Sequence, residues 1–189
     1  LFPYTTLFRS LLDPKVESEA VKLFESNFFD QIKSLKDKDI SFDKEMTRDM
    51  YTQGKNIIPE IMPAVEDYFE EYEVFSTEEK IYEDIEDIEG DYKFKGYIDL
   101  VIKTSDNKYH IIDWKTCSWG WNAKKRADPQ ITYQLTFYKH FFAKKHGIDP
   151  NMIETHFALL KRTAKKNRVE IFRVTSGNIK TKNALNILH

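Results

Sequence analysis

The chain has 189 residues, 41% of them hydrophobic and 32% charged, with a formal net charge of −2. That length suits one domain with a real core, and the lack of any run of about 18 apolar residues excludes a membrane-spanning helix within it. The single cysteine, Cys117, excludes an internal disulfide framework and any multi-cysteine zinc or iron–sulfur centre, and fits a reducing cytoplasm.

The first ten residues, LFPYTTLFRS, match one reading frame of a common sequencing-adapter primer. They lack the basic start and continuous apolar core of a signal peptide, so they are set aside from fold reasoning. Residues 11–189 are expected to form one domain whose natural start lies upstream of Leu11. The segment Lys180 to His189 looks like a helix cut short.

Residues 15–36 carry Val16, Ala20, Leu23, Phe24, Phe28, Ile32 and Leu35 at helical spacing, which predicts an amphipathic helix. A second helical region is expected from Asp43 to Tyr72, interrupted near Gly54 and at Pro59 and Pro63. Its apolar stripe, Ile61, Val65, Tyr68, Phe69 and Tyr72, reads as core, and Glu60 lies beside it as a weak site candidate. Val74 to Asp91 is strand-like and very acidic, with Glu79 to Tyr82 a first strand. Most of these acids are expected on a solvated face, with Glu79 the one that could turn inward toward Asp99.

Residues 96–115, GYIDLVIKTSDNKYHIIDWK, read as two strands around turn chemistry at Ser105-Asp106-Asn107. Strand side chains alternate faces, so Asp113 and Lys115 share one. A three-residue turn pairs Thr104 with Lys108, Val101 with Ile111 and Asp99 with Asp113. A two-residue turn would send Asp99 to the other face, so an odd-length turn is predicted. Two facing carboxylates near the end of a buried strand cost several kcal/mol, about the burial penalty of unpaired charge. A divalent cation between them removes the repulsion. The alternative is a half-exposed hairpin with scattered surface charges.

Thr116 to Ala127 is expected to be a loop holding Trp119, Trp121 and the cluster Lys124-Lys125-Arg126. Aromatic and basic residues interleaved in this way suit a nucleic-acid strand, unless the tryptophans pack inward. Asp128-Pro129 is a helix start and Gly147 a helix stop. Ile131, Leu135 and Phe142 form the buried stripe of that helix, and Gln134 and Tyr138 share a face. Strands follow at Glu154 to Lys161 and Arg168 to Val174, joined by a basic turn with Arg162, Lys165 and Lys166. A last helix is expected near Ser176. The order of helix, three strands, helix, two strands, helix is an α/β or α+β layer architecture.

Charge is uneven along the chain. Residues 108–189 hold 16 Lys/Arg against 5 Asp/Glu, net +11, which leaves −13 for residues 1–107. The basic half suits phosphates, unless the two halves simply neutralise each other.

Gly96-Tyr97-Ile98-Asp99, Asp113-Trp114-Lys115 and Gln134 to Tyr138 resemble, in that order, the G-x-x-D, D-x-K and Q-x-x-x-Y motifs of the PD-(D/E)xK nuclease superfamily. The RecB/Cas4-like exonuclease branch, bacterial or phage, is the most similar. The resemblance implies a restriction-endonuclease-like core, a central mixed sheet of four to five strands flanked by helices. It implies hydrolysis of DNA phosphodiester bonds in recombination, repair or phage DNA processing, in the cytoplasm and with a helicase or recombination protein as possible partner. Asp99 and Asp113 would hold Mg2+ or Mn2+, with the Trp114 carbonyl a possible further oxygen ligand, and the remaining acid would be Glu60, Glu79 or none. Lys115 would act on the attacking water or the phosphate, and Gln134 and Tyr138 would position the strand. Trp119, Trp121, Lys124, Lys125, Arg126, Lys161, Arg162, Lys165 and Lys166 would hold the nucleic acid.

Two departures stand out. The histidine that many members carry ahead of the sheet is missing, since the first histidine here is His110. Cys117 alone cannot make the four-cysteine iron–sulfur site of some branches. Two other readings are a catalytically inactive nucleic-acid-binding module on the same fold, and an interaction protein in which the hairpin is only surface.

Overall fold

The computed structural model describes residues 17–86 and 90–188. Val16 and the adapter-like segment, residues 1–10, lie outside them. Helix α1 spans Glu17–Asp37 and helix α2 spans Lys44–Phe69. Ala20, Phe24 and Phe28 of α1 are buried against Ile57, Ile58 and Ile61 of α2. The Phe24 ring lies over Gly54, where an added β-carbon would come within 2.2 Å of its Cζ. Gly54 is therefore a contact point, and not the break that its helix propensity suggests.

Neither proline interrupts α2, contrary to expectation: the helix is continuous through Pro59 and Pro63. A proline inside a helix costs about 3 kcal/mol. Ile57, Ile58, Ile61, Val65 and Phe69 are buried on this helix, and each contributes roughly 1.5–3 kcal/mol, so burial outweighs the two defects. Tyr68 is 41% exposed, which takes it out of the expected core stripe. Tyr72 lies beyond the helix, at the start of the first strand.

Strands β1 (Tyr72–Asp84), β2 (Lys93–Thr104), β3 (Tyr109–Cys117), β4 (Ile153–Lys161) and β5 (Val169–Val174) form one sheet in the order β1-β2-β3-β4-β5. All neighbours are antiparallel except β3 and β4, which run parallel. A parallel pair needs a crossover. It is supplied by α3 (Ala123–Ala127), α4 (Pro129–His146) and a 3-10 turn at Pro150–Met152. A last helix, α5, spans Asn178–Leu185. This mixed sheet with helices on both faces is the expected restriction-endonuclease-like arrangement.

The two sheet faces have separate cores. Leu135, Tyr138, Phe141 and Phe142 of α4 cover Ile111 and Phe157 on one side. Val65 and Phe69 of α2 cover Leu100, Ile102, Ile112 and Ala158 on the other. Asp128 caps α4, accepting from the Gln130 amide, and Gly147 closes it in the left-handed region at φ 63°. The Thr116 to Ala127 segment is not all loop. Asn122 caps the single turn of α3 by accepting from the Lys125 amide.

The β2–β3 turn has the predicted odd length. Thr104 donates its amide to the Lys108 carbonyl, Asn107 donates to the Thr104 carbonyl, and Asn107 takes φ 62°, a left-handed conformation asparagine tolerates. The resulting register pairs Val101 with Ile111 and Leu100 with Ile112.

Candidate active site

Asp113 sits in the middle of β3, on the face covered by α4, and is 2% exposed. Lys115, two residues on and on the same face, places its Nζ 2.6 Å from Asp113 Oδ2. The ammonium also lies 5.8 Å from the centre of the Phe157 ring.

Asp99 reaches the same place from β2. The β2–β3 ladder runs to Leu100 and Ile112, and one step beyond it Asp99 Oδ2 accepts the Trp114 amide at 2.8 Å. A side-chain carboxylate therefore serves the β3 backbone where the strands part. Ile98 and Val101 join the same buried cluster although their sequence parity is opposite, so β2 turns over at this point.

Electrostatics make the pair strained. Burial pushes the Asp113 carboxyl up to about 6; Lys115 opposes that shift and Asp99 reinforces it. Burial likewise raises Asp99, against the pull of the Trp114 amide and Lys115. Two carboxylates thus share one ammonium in a poorly solvated site. Oxygen donors with net negative charge and a desolvation penalty suit a hard divalent cation.

Gln134 and Tyr138 approach this pair from α4. Gln134 Nε2 donates to the Tyr138 hydroxyl at 3.0 Å. Tyr138 lies close enough to Asp113 and Asp99 for both to raise its hydroxyl pKa, after the larger effect of burial. Gly96 makes that approach possible, because a β-carbon there would come within 2.7 Å of Tyr138 Cε1. The glycine of the first motif is thus the seat of the tyrosine of the third, a role that residue type alone does not reveal.

The two further acidic candidates are engaged elsewhere. Glu60 Oε2 accepts the Arg168 amide at 2.7 Å and its Oε1 pairs with the Arg168 guanidinium. Glu79 is buried, but it meets Lys145 Nζ at 2.8 Å, with His146 and Ser76 as further partners. Burial would raise the Glu79 carboxyl; Lys145, Ser76 and His146 together hold it below the ordinary range. Glu79 thus turns inward, as expected, but its hydrogen-bond partners are Lys145, His146 and Ser76.

Sequence reasoning passed over Glu78. Thr77 pairs with Leu100 and Glu79 with Ile98, which leaves Glu78 opposite Asp99. Its φ is 51°, and its Oε1 is buried without a hydrogen-bond partner among the described residues. The β1–β2 register is unbroken from Ser76–Val101 to Asp84–Lys93, so the irregularity at this point is the left-handed Glu78 backbone itself, which no sequence signal announces.

The expected nucleic-acid residues divide into two groups. Trp119 is 74% exposed, whereas Trp121 is 8% exposed and packs at 5.2 Å against Phe157. Trp121 is thus a core residue, with Lys125 Nζ 4.8 Å over its ring. Arg126 pairs with Glu170 and lies 4.4 Å over Phe172. Lys161 Nζ is 3.3 Å from the same glutamate. Lys124, Lys125, Arg162, Lys165 and Lys166 are exposed.

Comparison with known proteins agrees with these motifs. The family model described as the PD-(D/E)XK nuclease superfamily matches residues 11–184. No protein of curated function matches the chain. The solved structure of SSO0001 is similar at 14% identity and a TM-score of 0.42, over 93% of this chain and 69% of that one.

Proposed function

The chain belongs to the PD-(D/E)XK nuclease superfamily, and from that premise we propose that it is a divalent-metal-dependent deoxyribonuclease of the RecB/Cas4-like branch. The reading extends to an exonuclease acting in recombination, repair or phage DNA processing, in the cytoplasm and beside a helicase or recombination protein. The order G-x-x-D, D-x-K, Q-x-x-x-Y supports the branch. No helix among the described residues is long and apolar enough to cross a membrane.

The observation that carries the proposal is the placement of Asp99, Asp113 and Lys115 in one desolvated cluster. Asp99 and Asp113 would hold one or two Mg2+ or Mn2+ ions, with the Trp114 carbonyl a further oxygen donor. A bound dication supplies an acidified water and a polarised phosphate oxygen. Lys115, beside Asp113 at 2.6 Å, would orient the attacking water or stabilise charge growing on the phosphate. Tyr138, steadied by Gln134, positions the strand. Trp119 stacks on a base, and the exposed lysines with Arg162 hold phosphates.

A cleavage assay on linear double-stranded and single-stranded DNA, in Mg2+ and in Mn2+, tests the reading. Wild-type chain should degrade at least one substrate, and Asp99→Ala, Asp113→Ala and Lys115→Ala should not. Intact DNA under all conditions would leave only a binding module on the nuclease fold. Degradation from ends, with covalently closed circles spared, separates exonuclease from endonuclease. Glu78→Gln and Glu79→Gln in the same assay identify the third acid, and loss of cleavage is expected for Glu78 and not for Glu79.

A further inference from the structure

A second group of donors lies on the opposite face of the sheet, away from the carboxylate pair. His110 is on β3, and Glu154 and His156 are on β4. The parallel register sets His110 beside Glu154 and Ile112 beside His156, so all three side chains project to the face that Phe69 of α2 covers. Asp113, of opposite parity on β3, projects to the other. One donor atom from each of the three residues falls within a common 4.8 Å span.

We propose that His110, Glu154 and His156 form a second metal site that binds one borderline transition dication of the Zn2+ type. His110 Nδ1 is 3.1 Å from His156 Nε2. With metal–nitrogen bonds of about 2.0–2.1 Å, two donors on a tetrahedral ion stand roughly 3.3 Å apart. Glu154 Oε2 is 3.9 Å from His110 Nδ1, within reach of a small carboxylate rotation.

The surroundings match the same assignment. The second nitrogen of His110 lies 3.0 Å from Thr104 Oγ1, which in turn donates to Asp106 at 2.6 Å. A hydrogen-bonded outer partner of this kind fixes the tautomer of a ligating histidine.

Glu154 divides its oxygens. Oε1 faces Arg173 at 3.2 Å and Lys108 at 3.7 Å, while Oε2 faces His110. His156 is 2% exposed, and its Nδ1 has no hydrogen-bond partner among the described residues, so its polar contact is made through Nε2 alone. A cleft lined by Tyr68, Glu70, Asp106 and Arg173 reaches the cluster, which gives water access to a fourth coordination position. Two imidazoles and one carboxylate favour Zn2+, Co2+ or Ni2+ over Mg2+. The carboxylate pair on the other face has the opposite preference.

Metal uptake separates this site from the first without any use of nuclease activity. Chain carrying Asp99→Asn and Asp113→Asn, stripped with chelator, is titrated with Zn2+ by calorimetry and with Co2+ by visible absorption. One equivalent should bind, with a rise in Tm and no thiolate-to-cobalt charge transfer. His110→Gln should abolish uptake, and Glu154→Gln should weaken it roughly tenfold or more. Glu154, at the edge of the cluster, remains a usable probe if the buried histidine variants fail to fold. The proposal is overturned by no saturable uptake, by uptake unchanged in Glu154→Gln, or by a charge-transfer band that assigns the metal to Cys117.

Discussion

Gly96 of β2 and Tyr138 of α4 interlock, since the β-carbon that glycine lacks would stand 2.7 Å from the tyrosine ring edge. The ring is held between this surface and Gln134, beside Asp99 and Asp113. Gly96→Ala should therefore act on the site through the tyrosine. Overpacking of this kind costs about 1–3 kcal/mol, read as a lower Tm. DNA cleavage should fall further than Tyr138→Phe makes it fall, because the substitution displaces the ring and not only its hydroxyl. Unchanged cleavage in Gly96→Ala would show that ring placement does not matter.

Asp113 makes stability depend on pH in an unusual sense. Its carboxyl is raised from 3.8 to about 6 by burial. Between those values the folded chain keeps a proton that the unfolded chain has released. Folding is then linked to proton uptake, and stability falls as pH rises through the window, by on the order of 3 kcal/mol. In chelator, Asp113→Asn should melt above wild type at pH 8, and the gap should close toward pH 4. Mg2+ should raise the wild-type Tm at pH 8 and leave Asp113→Asn unmoved. A variant no more stable than wild type at pH 8 would mean that the buried charge carries no penalty.

Trp119 and Trp121, close in sequence, should give opposite phenotypes. Trp119 is 74% exposed, so Trp119→Ala should leave Tm unchanged and weaken single-stranded DNA binding by about 1–3 kcal/mol, the value of one stacked base. Trp121 packs against Phe157 and Phe172. Trp121→Ala should cost about 3–5 kcal/mol of stability, visible in a denaturant melt.

Basic residues should divide in the same way. Lys165 and Lys166 are exposed, with no ion-pair partner among the described residues. Removing both should lower the slope of log K against log salt for DNA binding by about 2. Arg126 is already paired with Glu170. Arg126→Ala should leave that slope nearly intact and destabilise the chain instead. A full slope change from Arg126→Ala would show that Glu170 yields it to the phosphate.

Much of the site was legible because it is encoded locally. The Ser105 to Asn107 turn has an odd length, and turn length alone carries the register to Asp99 and Asp113. Asp128-Pro129 and Gly147 bound α4 through hydrogen bonds made within a few residues. The spacing of Gln134 and Tyr138 puts both on one helical face.

What the sequence determined by itself, then, was the hairpin, the helix that crosses over it and the three motifs they carry, because turn, cap and periodicity act over short spans. The tertiary structure alone decided the rest. Burial held α2 together through Pro59 and Pro63 and drew Trp121 inward while Trp119 stayed out. Glu79 turned to Lys145 on α4, while the β1–β2 register set Glu78 opposite Asp99. Parallel pairing of β3 with β4 brought His110 to Glu154 and His156. Each of these depends on contacts between segments far apart in the chain, where packing and charge partners override local preference.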